Sequence, residues 1–206
     1  AVSMIMGAES RGSIKKKDVL IEATSGNTGI ALAMAARLLD YKMRLIMPEN
    51  LSIERRQVMK AFGADLILVS KEIGMEGARD LANEMEKKGE GRVLNQFSND
   101  DNWLAHYKNT GKEILDATNN RVTHFISAMG TTGTITGVSR RLKEFNSGIQ
   151  IIGVQPSDGS QIPGIRKWVD PYIPPIRKKA FIDNIMEVSQ SESEEMARRM
   201  ALEEGI

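Results

Sequence analysis

The sequence contains no cysteine among its 206 residues. This absence excludes a disulfide framework, a thiolate zinc site and a cysteine nucleophile, and it suits a reducing compartment, so we expect a cytoplasmic protein. Two histidines, His106 and His124, lie far apart in the sequence, and we predict no metal site. No apolar run reaches the ~18 residues that a membrane-spanning helix needs. Because 28 basic residues nearly balance 27 acidic ones, we predict neither a membrane nor a nucleic acid as a partner.

Strand-like and helix-like patterns alternate along the chain. The apolar runs predict strands over residues 19–23, 43–47, 66–69, 92–95, 123–127, 149–154 and 185–188. Helical periodicity predicts helices over residues 30–39, 52–62, 75–88, 102–117, 132–144 and 191–204, after an initial helix that stops at Gly12. Such alternation is typical of an α/β fold with open, mostly parallel sheets and helices on both faces. We predict two subdomains, a smaller one over residues 1–107 and part of a larger, cofactor-binding one over residues 108–206.

Two further local features carry predictions. The segment 155–182 contains five prolines and has no periodicity, and a loop of that length in a compact domain usually has a function or covers one. The pair Ser191 and Glu194 has the Ser-x-x-Glu spacing of a capping box, which predicts the start of the last helix.

The first turn with unusual chemistry follows the first predicted strand and opens a helix. Its residues are Thr24, Ser25, Gly26, Asn27, Thr28 and Gly29. Unpaired amides at a helix start, together with neutral hydroxyl and amide donors, can hold a carboxylate without an arginine. A plain N-cap and tight turn is the alternative.

The second turn lies between the strand predicted over 123–127 and the next helix. Its residues are Gly130, Thr131, Thr132, Gly133 and Thr134. Three hydroxyls and consecutive amides can surround a phosphate, although neither a Walker A loop nor a dinucleotide-binding spacing is present. A glycine-rich turn without a ligand is the alternative. A phosphate site and an amino-acid carboxylate site together are what a pyridoxal-phosphate (PLP) enzyme needs.

Longer strings around these turns resemble the fold-type II PLP enzymes, the tryptophan synthase β-like family, and within it the cysteine synthases (O-acetylserine sulfhydrylases). The strings are EATSGNTGIALA at 22–33, MPENLSIERR at 47–56, QFSN at 96–99, HYKNTG at 106–111 and GTTGTITG at 130–137. Two finer features resemble the B-type isozyme. One is threonine at position 132, and the other is the string GSQIPGIRKW at 159–168, which contains Arg166.

The resemblance implies a role for each matching residue. The cofactor is pyridoxal 5'-phosphate, bound at its ring hydroxyl by Asn27 and at its phosphate by Gly130, Thr131, Thr132, Gly133 and Thr134. The substrate carboxylate is bound by Thr24, Ser25, Gly26, Thr28 and Gln96, and Arg166 helps to accept thiosulfate. The implied reaction is a β-replacement that makes L-cysteine, or S-sulfocysteine, from O-acetyl-L-serine and sulfide or thiosulfate. A homodimer is the usual assembly of the family. A surface ion pair is the alternative role for Arg166.

The catalytic lysine of the family is absent from the sequence. In the family this lysine lies just before the helix in which Ala1 falls, and Lys15, Lys16 and Lys17 lie past the end of that helix. We therefore assign no catalytic residue and interpret the sequence as a fragment. Another fold-type II lyase, such as a serine or threonine dehydratase or a cystathionine β-synthase, and a non-catalytic remnant or binding module are the alternatives.

A spectrum tests this interpretation. We expect these 206 residues, mixed with PLP, to show no visible-edge absorbance of lysine-bound cofactor. Such a band, lost on borohydride reduction with a lysine adduct in the mass spectrum, would contradict the interpretation.

Overall fold

A computed structural model describes residues 1–24, 26–50 and 52–206. They form two compact units, Ala1–Asn102 and Trp103–Ile206. The predicted boundary, between residues 107 and 108, lies slightly after this observed boundary and falls inside the π-helical segment His106–Thr110. None of the helices in the described ranges is long and apolar enough to cross a membrane.

The first unit contains a four-stranded parallel sheet of order β3-β2-β1-β4. Its strands are β1 (Val19–Ala23), β2 (Lys42–Pro48), β3 (Asp65–Val69) and β4 (Arg92–Val93). Its helices are α1 (Val2–Ser10), α2 (Asn27–Leu38), α3 (Ile53–Ala61) and α4 (Gly74–Lys87), and α5 (Asp100–Ala105) follows. The initial helix ends near Gly12, as predicted. Helix α1 ends at Ser10, and Gly12 shortly after it has a left-handed backbone with a φ of +69°.

Side-chain alternation along the strands divides the core of this unit between two faces. Leu20 and Leu45 pack with Met4, Leu32 and Met59 of α1, α2 and α3 on one face. On the other face, β1 and β2 place Ile21 and Ile46 against Ala78, Ala82 and Met85 of α4. Helices therefore cover both faces of this sheet, as the sequence predicts.

The second unit contains a three-stranded parallel sheet of order β5-β6-β7. Its elements are α6 (Gly111–Ala117), β5 (His124–Ala128), α7 (Gly133–Phe145), β6 (Gln150–Pro156), a 3-10 turn (Pro175–Lys179), β7 (Asn184–Val188), α8 (Gln190–Arg199) and a π-helical end (Met200–Glu204). Helix α7 packs on one face through Ile135, Val138 and Leu142. On the opposite face Ile126 is 61% exposed and Met186 51% exposed.

Two local predictions are wrong in their details. The capping box of the last helix is formed by Ser189 and Glu192, not by Ser191 and Glu194, so α8 begins earlier. Both pairs have the same spacing, but Ser189 is the residue with the extended backbone of an N-cap. The helix predicted over 102–117 begins at Asp100 and contains the π-helical segment His106–Thr110.

Candidate functional site

The turn after β1, here called the asparagine loop (residues 24–29), closes on itself through short-range hydrogen bonds. Thr24 is buried, and its backbone N–H donates to the carbonyl oxygen of Ile46 at 3.0 Å, which fixes the loop to β2. The N–H of Gly26 donates to Thr24 Oγ1 at 3.5 Å, and the N–H of Gly29 donates to the carbonyl oxygen of Gly26 at 3.0 Å. Ser25 lies outside the described residues. Helix α2 begins at Asn27, earlier than predicted, so the loop's amides include those of its first turn.

Glycine at position 29 allows the loop to lie close to the core. A Cβ atom there would lie 2.6 Å from Thr24 Cγ2 and 2.8 Å from Met59 Cε. Because these distances are shorter than van der Waals contact, a larger residue would push the loop away from α3. Asn27 is exposed and Thr28 half-buried in the first turn of α2, where the helix dipole favours an anion.

Gln96 lies beside the asparagine loop within the same unit. Its side chain is buried, and Nε2 donates to the carbonyl oxygen of Ala23 at 3.1 Å, directly before Thr24. The Asn102 side chain donates to the carbonyl oxygen of Gln96 at 2.6 Å. The structure therefore brings Gln96 and the asparagine loop together at the carboxyl end of β1, where parallel α/β sheets bind ligands.

The second turn, here called the phosphate loop (residues 130–134), connects β5 to α7. Thr132 is the N-cap residue of α7 and adopts a φ of +69°, a conformation that is costly for a β-branched residue. The N–H of Gly133 donates to Thr131 Oγ1 at 3.3 Å. Thr134 is exposed in the first helical turn. The loop thus places backbone amides and hydroxyls at the start of a 13-residue helix.

The surroundings of the Thr132 hydroxyl indicate whether this loop can bind a phosphate. Thr132 is 3% exposed, and its Oγ1 has no hydrogen-bond partner among the described residues. An unpaired buried hydroxyl costs about 1–3 kcal/mol. A phosphate oxygen in the loop would accept this hydrogen bond, so the residues present fit the phosphate group of PLP.

The irregular segment predicted to cover a site packs against the phosphate loop. The N–H of Arg166 donates to the carbonyl oxygen of Met129 at 3.0 Å, and Trp168 Nε1 donates to the carbonyl oxygen of Gly130 at 2.7 Å. A Cβ atom at Gly130 would lie 2.6 Å from the carbonyl oxygen of Gly164. These contacts place Arg166 next to the strand end from which the phosphate loop begins.

Two titratable residues beside the loops have contacts that the sequence does not predict. His106 Nε2 lies 3.3 Å from Thr134 Oγ1 and its Nδ1 lies 3.0 Å from Thr110 Oγ1, so the imidazole bridges the π-helical segment and the phosphate loop. Burial lowers the pKa of His106, which favours a neutral ring. The second residue is Glu22, whose carboxyl is fully buried next to Gln96. Both belong to strings that carry the family resemblance.

Comparisons with known proteins identify the family. The whole chain, residues 1–206, matches the family described as pyridoxal-phosphate dependent enzyme. The chain therefore belongs to the pyridoxal-phosphate dependent enzymes.

The relatives include enzymes named cysteine synthase B. The chain is 57% identical to that of Escherichia coli strain K12 and 58% identical to that of Pseudomonas aeruginosa, in each case over all of its 206 residues and 68% and 69% of the relative. The solved structure of cysteine synthase from Entamoeba histolytica has a TM-score of 0.91 and 39% identity, and the match covers all of this chain and 63% of that one. The chain spans about two thirds of the length of these relatives, and the solved neighbours share its fold-type II architecture.

Proposed function

We propose that the protein is a cysteine synthase of the B type. It catalyses a β-replacement in which the acetate of O-acetyl-L-serine leaves and sulfide or thiosulfate adds, giving L-cysteine or S-sulfocysteine. The observation that carries the proposal is the phosphate loop with its buried Thr132 hydroxyl, which has no hydrogen-bond partner in the part of the chain that the structure describes. The identity of 57–58% to enzymes named cysteine synthase B supports the choice of reaction.

In this proposal the two loops have separate tasks. The phosphate loop holds the phosphate of PLP through its amides and hydroxyls, and Asn27 binds the ring hydroxyl. When bound, PLP withdraws electrons from the α-carbon of an amino acid. The substrate carboxylate is bound by Thr24, Ser25, Gly26, Thr28 and Gln96. We assign no residue of this chain to the transfer of the α-proton.

In the same proposal, His106 stabilises the phosphate loop by a hydrogen bond to Thr134. Its imidazole accepts from or donates to the Thr134 hydroxyl at Nε2, and the neutral ring can do so without adding charge. Arg166 supplies a positive charge that attracts a dianionic sulfur donor. Net charge favours thiosulfate over sulfide at such a site.

The reaction is tested with the full-length, PLP-loaded protein. We expect O-acetylserine with sulfide or thiosulfate to give cysteine or S-sulfocysteine, and serine alone to give no keto acid. Conversion of serine or threonine to a keto acid, without replacement of acetate by sulfur, would instead support a fold-type II dehydratase.

Arg166→Gln tests the donor preference. We expect kcat/KM for thiosulfate to fall about tenfold, the equivalent of ~1.4 kcal/mol, while kcat/KM for sulfide changes less than about twofold. The neighbouring Lys167→Gln is the control, because Lys167 already pairs with Asp158 and Glu187, each at 2.8 Å. Equal losses for both donors would show that Arg166 acts on folding or on a common step.

We further propose a cytoplasmic homodimer, as the family resemblance implies. Light scattering on the purified full-length protein is expected to give twice the mass of one chain. A monomer mass across micromolar concentrations would contradict the homodimer.

A further inference from the structure

The ring of His106 lies between two threonine hydroxyls of the second unit. Its Nδ1 is 3.0 Å from Thr110 Oγ1, and its Nε2 is 3.3 Å from Thr134 Oγ1. A neutral imidazole carries a hydrogen on only one of its two nitrogens, so one nitrogen donates a hydrogen bond while the other accepts one. The two threonine hydroxyls therefore take opposite roles towards the neutral ring.

Close packing holds the ring against the start of α7. A Cβ atom at Gly137 would lie 2.2 Å from the carbonyl oxygen of Trp103 and 2.6 Å from His106 Cβ. Because only glycine leaves room for this approach, α7 contacts the π-helical segment His106–Thr110 about one turn after Thr134. Segments with π-helical hydrogen bonds are frequent at functional sites.

Thr110 reaches the ring because it follows His106 by one turn of the same segment, a spacing at which side chains are neighbours. Its hydroxyl can rotate, so it can donate to Nδ1 or accept from it. The hydrogen bond at one ring nitrogen decides which nitrogen carries the hydrogen. When Thr110 donates to Nδ1, the hydrogen of the neutral ring is on Nε2.

The direction of the hydrogen bond at Thr134 decides what its hydroxyl offers to a ligand. Thr134 is exposed in the first turn of α7, within the phosphate loop. If Nε2 lacked a hydrogen, Thr134 would donate to the ring and present only lone pairs to an anion. If Nε2 carries the hydrogen, the ring donates to Thr134 Oγ1, and the hydroxyl hydrogen stays available for a charge-assisted hydrogen bond to a phosphate oxygen.

We propose that Thr110 is a positioning residue: through His106 it leaves the hydroxyl hydrogen of Thr134 to the phosphate of PLP. The hydrogen bonds then run in one direction, from Thr110 to Nδ1, from Nε2 to Thr134, and from Thr134 to the phosphate. The inference rests on the proposed function, since it takes the phosphate of PLP as the anion. It adds a residue that lies outside both loops. Burial lowers the pKa of His106, which supports the neutral ring that this arrangement needs.

Two ligands that differ only in a phosphate group isolate the effect in the full-length apoprotein. Pyridoxine 5'-phosphate has the ring and the phosphate of PLP but no aldehyde, so it forms no covalent bond with a lysine, and pyridoxine lacks the phosphate as well. Thr110→Val keeps the shape of threonine without the hydroxyl, and Thr110→Ser keeps the hydroxyl. Thr118→Val is the control, because the Thr118 hydroxyl donates to the carbonyl oxygens of Ile114 at 2.8 Å and Leu115 at 3.3 Å and belongs to no proposed site.

We expect Thr110→Val to raise the Kd of pyridoxine 5'-phosphate about fivefold at pH 8, the effect of one net hydrogen bond, and to leave the Kd of pyridoxine unchanged. Thr110→Ser should stay within about twofold of wild type. Thr118→Val should leave both Kd values unchanged. A glutamine at position 106 offers an amide N–H that needs no tautomer, so Thr110→Val should have no further effect in the His106→Gln protein.

Nitrogen-15 NMR of histidine-labelled protein reads the tautomer directly, and the His106 signals are those missing from His106→Gln. With pyridoxine 5'-phosphate bound, the wild-type ring should carry its hydrogen on Nε2 alone. A hydrogen on Nδ1 in this complex would overturn the inference, even if Thr110→Val does not fold. Equal rises in Kd for Thr110→Val and Thr110→Ser, or a further rise in the His106→Gln protein, would also overturn it. A protein with the expected tautomer that makes no cysteine from O-acetylserine would instead contradict the proposed function.

Discussion

Thr132→Val is expected to stabilise the protein without PLP and, at the same time, to weaken PLP binding. Valine has the shape of threonine and the same cost in the left-handed conformation, so only the buried hydroxyl changes. Removing an unpaired buried hydroxyl should raise the free energy of unfolding of the apoprotein by about 1 kcal/mol. Losing a hydrogen bond to a phosphate should raise the PLP Kd roughly tenfold to a hundredfold.

Thr136→Val is the matched control for this experiment. Thr136 lies one turn later in α7, fully buried, and its hydroxyl donates to the carbonyl oxygen of Ile176 at 3.3 Å. The same substitution there removes a satisfied hydrogen bond, so it should lower the stability of the apoprotein and leave the PLP Kd unchanged. Urea denaturation and equilibrium dialysis measure the two quantities. A Thr132→Val protein that binds PLP as tightly as wild type would exclude this hydroxyl from the phosphate site.

Glu22→Gln is expected to abolish a large pH dependence of stability. The pKa of Glu22 is raised by burial from an ordinary value of 4.5 to about 8, so the folded protein binds a proton that the unfolded chain releases. The contribution of Glu22 is therefore fully present below about pH 4.5 and is lost as the pH rises to about 8. The rise in the pKa from 4.5 to about 8 corresponds to a loss of at most roughly 5 kcal/mol in the free energy of unfolding.

Urea denaturation of the apoprotein at pH 5, 7 and 9 measures this effect. The wild-type free energy of unfolding should fall relative to that of Glu22→Gln as the pH rises from 5, and the difference should level off only above about pH 8, once the carboxyl group of the folded protein ionises. If the difference in the free energy of unfolding between wild type and Glu22→Gln did not change between pH 5 and 9, Glu22 would be ionised throughout that range and its pKa would not be raised in the folded protein.

The helices and strands could be predicted because their buried residues are apolar and recur with the spacing of a helix or a strand. Residues 19–23 form β1 as predicted, since an apolar run between polar turns fits a strand buried on both faces. The turn at residues 130–134 between β5 and α7 could be predicted, because its glycines and threonines separate an apolar run from a helical pattern. That it binds a phosphate stays a prediction. The left-handed backbone of Thr132 could not be predicted, since its positive φ depends on how the loop packs.

The features that were missed depend on contacts between distant residues. Glu22 and Gln96 meet because β1 and β4 are neighbours in the sheet, which local patterns do not specify. The interruption of the helix at His106–Thr110 also has no local signal. The sequence contains two Ser-x-x-Glu pairs near the start of α8. Only the structure shows which one forms the capping box, because Ser189 has the extended backbone of an N-cap.

The most direct test of the account is the product made from O-acetylserine and isotopically labelled sulfide by the full-length, PLP-loaded protein. Mass spectrometry should find labelled cysteine and acetate in equal amounts, and the formation of both should require PLP. Pyruvate and ammonia without labelled cysteine, or labelled cysteine at the same rate in the absence of PLP, would contradict the account.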